Sequence, residues 1–107
     1  MDTIQRIEAQ LKEHPVLLFM KGSPTFPQCG FSARAAQILQ QAGVPFTHVN
    51  IFEEPEIREA LKIYSNWPTF PQLYVQGELI GGSDIMLDMF ERGELQPLLD
   101  AAVDKAS

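Results

Sequence analysis

VLLFMKGSPTFPQCGFSARAAQILQQAGVPFTHVNI, Val16 to Ile51, is the stretch on which the fold of this chain turns. Pro15 precedes a compact apolar run, Val16-Leu17-Leu18-Phe19-Met20, whose lack of any polar interruption predicts a buried strand. After the loop Gly22 to Gln28, the residues Phe31, Ala35, Ile38, Leu39 and Ala42 recur at helical spacing as far as Gly43, a stop signal for a helix. Phe46 to Ile51 then returns as a second strand. A strand, a helix and a strand in this order form a βαβ unit, whose crossover almost always makes the strands parallel and the connection right-handed.

Outward from this unit, Ile4, Ile7 and Leu11 share one face of an N-terminal helix within MDTIQRIEAQLKEH. Downstream, Ile57, Leu61 and Tyr64 predict a third helix. It is entered through Glu53-Glu54-Pro55-Glu56, where acidic side chains suit the positive end of the helix dipole. SNWPTFP, Ser65 to Pro71, breaks that helix. Gln72 to Val75 and Glu78 to Ile80 flank the turn Gln76-Gly77 as a hairpin. Gly81-Gly82-Ser83-Asp84 opens a helix to about Arg92, and Leu95, Leu98, Leu99, Ala102 and Val103 supply a last one after Gly93. The order α-βαβ-α-ββ-α-α, a parallel strand pair followed by an antiparallel hairpin, predicts an α/β thioredoxin fold. In that fold a four-stranded mixed sheet is flanked by helices, here with an extra helix at the N-terminus. Residues 1–107 are expected to form a single domain with one core.

Hydrophobic residues make up 45% and charged residues 21% of the chain, the balance of a globular protein and not of a disordered or fibrous one. The longest apolar run, Val16 to Met20, is too short to span a bilayer, so no membrane partner is expected. Charges in the first residues interrupt any apolar region of a signal peptide, and no cysteine pair is present. Both point to a cytoplasmic protein with a reduced thiol. A net charge of -6 excludes nucleic acid as the expected partner, because neutralising phosphates requires clustered Lys and Arg. Against that acidic background, an isolated cation such as Lys21 or Arg58 beside a pocket would attract a small anion.

The chemistry centres on Cys29, the one cysteine of the sequence. It lies where a loop of Gly, Pro and polar residues passes into a helix, so the helix dipole and the free N–H groups there favour thiolate, the form that ligates iron or attacks sulfur. Gly30 leaves space beside the sulfur, and Pro24 and Pro27 stiffen the approach. Three residues on, where a dithiol protein carries its resolving cysteine, stands Ser32, so this is a monothiol site. Taken alone, Ser83 and Asp84 read as ordinary helix N-cap residues. Lys21 and Arg58 read as solvated side chains, Trp67 and Phe70 as core or pocket wall, and His14 and His48 as histidines without metal-ligand spacing.

CGFS, Cys29 to Ser32, resembles the signature of the monothiol glutaredoxins. The likeness extends through KGSPTFPQCGFS (Lys21 to Ser32), NWPTFPQLYV (Asn66 to Val75) and GGSDI (Gly81 to Ile85), essentially the whole chain, and matches the short class with one domain. The resemblance implies glutathione as ligand. Lys21 and Arg58 would hold its glycyl carboxylate. Phe70, before a cis Pro71, would pair its backbone with the cysteinyl unit. The helix start at Gly82 and Ser83 would take the γ-glutamyl carboxylate, with Asp84 on its ammonium. Some relatives carry a second cysteine where this chain has Ser83, so an internal disulfide is excluded here.

A [2Fe–2S] cluster takes four thiolates and each chain offers one. Two chains, each with a glutathione beside Cys29, complete the set. A cluster half-ligated by small molecules is labile, which suits delivery better than electron transfer. The expected function is therefore that of a glutathione-dependent iron–sulfur carrier, a homodimer when loaded, active in cluster biogenesis and transfer to apo iron–sulfur acceptor proteins. The resemblance adds BolA-type proteins as partners. The alternative is a monothiol disulfide oxidoreductase that removes glutathione from mixed disulfides, with Cys29 as nucleophile and free glutathione as the resolving thiol. Enzymatic activity is expected to be weak at most.

Overall fold

Strand β1 (Val16–Met20) is the axis of the structure, a computed structural model that describes residues 2–106. It lies between β2 (Thr47–Asn50) and β3 (Gln72–Val75), with β4 (Glu78–Gly81) beyond β3, giving the sheet order β2-β1-β3-β4. β1 and β2 run parallel, Leu17 opposite Thr47 and Met20 opposite Asn50. β3 is antiparallel to β1, and β4 to β3, with a register shift between Leu73 and Tyr74. The expected four-stranded mixed sheet of an α/β protein is present.

All five side chains of β1 are buried, because each face of the sheet has its own helices. Successive side chains of a strand point to opposite faces. Val16, Leu18 and Met20 pack with Ala35, Ala36, Ile38 and Leu39 of α2 (Gly30–Ala42), Met86 of α4 (Ser83–Glu91), and Leu95, Leu99 and Ala102 of α5 (Leu95–Ala106). Leu17 and Phe19 pack with Ile7 and Leu11 of α1 (Thr3–Glu13) and Ile57 and Leu61 of α3 (Pro55–Ser65). Cover on both faces explains why the run is apolar throughout instead of alternating.

The helix ends follow local chemistry. Asp2 and Gln5 form a reciprocal capping box on α1, Gly43 ends α2 in the left-handed region at φ 72°, and Pro55 occupies the first turn of α3. β2 is shorter than the expected Phe46 to Ile51. Ile51 still donates its N–H to the Met20 carbonyl at 3.0 Å, but it begins a turn and buries its side chain in the α1/α3 layer. Phe31, spaced with the apolar stripe of α2, is 57% exposed, whereas Ala35, Ile38 and Leu39 of that stripe are buried. The layers thus set the N-termini of α2 and α4, on one face, beside the end of β1.

Candidate functional site

The thiol sits where β1, after running through the core, hands the chain to α2. Between them, residues 21–28 close a tight loop in which Gly22 pairs with Pro27, Gln28 donates its N–H to the Lys21 carbonyl, and Phe26 bonds back to Ser23. Gly22 adopts φ 90°, and a Cβ there would overlap the carbonyl oxygen of Phe26 and come within 2.8 Å of the Gln28 nitrogen, so the loop requires glycine at its base. Asn50, at the end of β2, accepts from Gly22 N–H and from Phe52 N–H, each at 3.0 Å, which ties the loop to the neighbouring strand. Cys29 follows as the N-cap residue of α2, in extended conformation and half-buried.

The sulfur makes no short capping hydrogen bond, yet its surroundings lower the thiol pKa below the ordinary value. The backbone N–H of Ser32 contributes most. Partial burial works against it, and the Phe31 N–H, the Lys21 ammonium and the Ser32 hydroxyl add to the lowering. Ser32 is fully buried, and its Oγ accepts the Lys21 N–H at 3.0 Å. The hydroxyl standing in the resolving position therefore fastens the end of β1 to α2 on one side and faces the thiol on the other.

Beside Cys29 opens a pocket of about 340 Å³ lined by Lys21, Cys29, Phe31, Trp67, Thr69, Phe70, Pro71, Gly82, Ser83, Asp84 and Ile85. That volume lies within the range of small-molecule sites. The pocket gathers Lys21, Cys29, Phe70, Pro71, Gly82, Ser83 and Asp84 from three distant stretches of sequence. Arg58 is not among the lining residues. Its guanidinium lies over the Phe52 ring, 5.8 Å from the centroid, with Nε buried and lacking a hydrogen-bond partner among the described residues. Trp67, left open between core and pocket, belongs to the wall, as does Phe70, and Phe31, Thr69 and Ile85 join it without having been singled out. Phe31 and Ile85 carried a usable signal, since each is a large apolar residue within the first turn of a helix that opens on the site.

The far wall is the bend between α3 and β3. The Phe70–Pro71 peptide bond is cis, as the resemblance implied. A buried polar network holds the bend: Gln72, fully buried, donates from Nε2 to the carbonyls of Trp67 at 2.9 Å and Thr69 at 3.2 Å, and its Oε1 accepts the Tyr74 hydroxyl at 3.0 Å. Burial raises the pKa of Tyr74 to about 12, partly offset by the Ser65 hydroxyl. Ser65 in turn donates to the Leu61 carbonyl and accepts the Trp67 N–H at 3.1 Å. Gly82, and neither Ser83 nor Asp84, is the N-cap of α4, and no side chain caps this helix. A Cβ at Gly82 would stand 3.3 Å from the Pro71 carbonyl, so the α4 start and the Pro71 bend lie close together. Ser83 is buried, whereas Asp84, in the first turn, is exposed at the pocket mouth. Two helix N-termini, those of α2 and α4, thus converge on one pocket, an arrangement that favours anions.

Among the described residues, no group of three or more His, Cys, Asp or Glu side chains comes together to cage a metal. Nor is any helix among them long and apolar enough to cross a membrane.

Residues 16–80 match the glutaredoxin family model. The chain is 58% identical to glutaredoxin 4 of Pasteurella multocida over 99 residues, covering 92% of this chain and 91% of the relative. It is 53% identical to glutaredoxin 4 of Escherichia coli K12 over 103 residues, 96% and 90% of the two chains. The solution structure of reduced poplar apo GrxS14 superposes with a TM-score of 0.81 at 47% identity, covering 92% of this chain and 91% of that one. With one cysteine at the head of α2 and a serine in the resolving position, the chain belongs to the glutaredoxin family, as a monothiol member with the thioredoxin fold.

Proposed function

We propose that this single glutaredoxin domain, residues 1–107, binds glutathione beside Cys29 and carries a labile [2Fe–2S] cluster between two copies of itself, delivering it to apo iron–sulfur proteins in the cytoplasm. One observation carries this: a lone, half-buried thiol with lowered pKa opens on a pocket of small-molecule size, with no second cysteine in the chain to complete a thiolate set. Lys21, on the pocket wall, and Arg58, which would swing from its seat over Phe52, attract the glycyl carboxylate. The backbone of Phe70, before Pro71, pairs with the cysteinyl unit as an added strand. The N–H groups at Gly82 and Ser83 take the γ-glutamyl carboxylate, and Asp84 its ammonium. This places the glutathione sulfur next to Cys29, and two such halves supply four thiolates. The cluster is cargo, and BolA-type proteins are the family's suggested partners.

The lowered thiol pKa favours a second reading, glutathione-dependent reduction of mixed disulfides. There the Cys29 thiolate attacks the glutathionyl sulfur and expels the protein thiolate. A second glutathione thiolate then attacks the Cys29 mixed disulfide, restoring the Cys29 thiolate and leaving glutathione disulfide. Anaerobic reconstitution with iron and sulfide separates the two. The carrier turns reddish brown only with glutathione present, gains about one iron per chain, and stays colourless as Cys29→Ser. Colourless wild-type protein with rapid glutathione-dependent disulfide reduction contradicts the carrier and supports the enzyme.

A further inference from the structure

Helix α2, GFSARAAQILQQA, has a single charged side chain, Arg34. A cation this near a helix N-terminus stands at the unfavourable end of the dipole. Its ion-pair partner lies on another helix: Arg34 Nη1 is 3.7 Å from Asp84 Oδ1 in the first turn of α4, at the mouth of the Cys29 pocket. The side chains are 49% and 85% exposed, and the separation is longer than a charge-assisted hydrogen bond, so the pair adds little to stability and opens readily. What it does provide is a guanidinium beside a carboxylate that stands in the first turn of α4. An α-amino-acid head carries the complementary pair, an ammonium and a carboxylate on one carbon.

We infer that Arg34 is a specificity-determining residue which, together with Asp84, recognises the zwitterionic amino-acid head of a γ-glutamyl peptide. The inference rests on the glutathione site proposed above and adds Arg34 to it. On binding, the loose ion pair parts. Asp84 turns to the ammonium, and Arg34 joins the α4 backbone on the carboxylate, where its planar fork matches the two oxygens. The charges exchange partners without either being left alone, so the site favours a ligand that presents both and disfavours one that presents a single charge.

Calorimetric titration at low salt tests this with reduced glutathione and with 4-aminobutyryl-cysteinyl-glycine, the same tripeptide lacking only the γ-glutamyl α-carboxylate. Arg34→Gln is expected to weaken glutathione about three- to tenfold and to leave the decarboxylated analogue within about twofold of wild type. Arg34→Lys, with the charge but no fork, falls between. Equal weakening of both ligands, no change, or tighter glutathione binding through release of Asp84 would overturn the assignment while leaving the glutathione site standing. Wild-type protein that binds neither tripeptide overturns both. Unchanged thermal unfolding of Arg34→Gln, expected for an exposed residue, shows that any loss is one of recognition.

Discussion

Cys29 draws its reactivity from backbone and neighbours more than from any one side chain. The Ser32 N–H lowers its pKa most, and the Lys21 ammonium contributes through space. The pH dependence of alkylation by iodoacetamide is therefore expected to have its midpoint below that of free glutathione. Lys21→Met should move the midpoint upward, whereas Ser32→Ala, which keeps the N–H, should move it little. The linked effect on stability has a definite sign. The folded pKa is depressed, so thiolate stabilisation is fully present above the ordinary thiol pKa and is lost as pH falls through the depressed value. Denaturation curves across that window should show stability rising with pH in wild type, with the Cys29 contribution absent in Cys29→Ser. This chemistry was legible in the sequence as a cysteine at a loop-to-helix junction. The fastening of Ser32 to the Lys21 N–H was not, because a serine in CGFS carries no sign of which strand end its hydroxyl will meet. Arg58 shows the opposite limit. Its sequence position suggests a pocket cation, yet its guanidinium lies over Phe52 and outside the pocket lining.

The bend from Asn66 to Pro71, between α3 and β3, forms one wall of the pocket. Its prolines mark a break, but the residue that supports it, Gln72, reads in sequence as one more strand position. Only the fold reveals that Gln72 is fully buried and spans Trp67, Thr69 and Tyr74. Gln72→Leu keeps the volume and removes the Gln72 bonds to the Trp67 and Thr69 carbonyls and the Tyr74 hydroxyl, at a cost of about 1–3 kcal/mol for each group that finds no other partner. Urea denaturation should register that loss, and calorimetry should show weakened glutathione binding even though Gln72 does not line the pocket. Binding equal to wild type would mean that the bend keeps its shape unaided. The start of α4 teaches a related lesson. GGSD suggested side-chain capping, but Gly82 holds the cap position, where a Cβ would stand a tight 3.3 Å from the Pro71 carbonyl. Ser83 and Asp84 are thereby shifted one step into the helix, one buried and the other at the pocket mouth.

In the molecule as a whole, the apolar pattern was the most legible feature, since Val16 to Met20 could be read directly as a strand covered on both faces. The division of its side chains between two helix layers follows from alternation alone. Leu18→Ala, in the layer beneath α2, should cost about 2–5 kcal/mol in chemical denaturation. That is a large share of a stability on the order of 5–15 kcal/mol. Ile63→Ala, at a position 83% exposed, should stay within about 0.5 kcal/mol of wild type. Helical spacing places Phe31 on the apolar face of α2, but spacing alone does not tell that this side chain lies 57% exposed on the pocket wall. Assembly lies beyond one chain's pattern altogether. The proposed pairing of two copies rests instead on ligand arithmetic, since one cysteine per chain cannot fill a four-thiolate set. Native mass measurement of anaerobically reconstituted protein, with iron, sulfide and glutathione quantified on the same sample, tests that arithmetic most directly. The expected species holds two chains, two glutathiones and one [2Fe–2S] cluster, and dissociates to monomers as the cluster is lost. A loaded monomer, or a loaded dimer without glutathione, would contradict it.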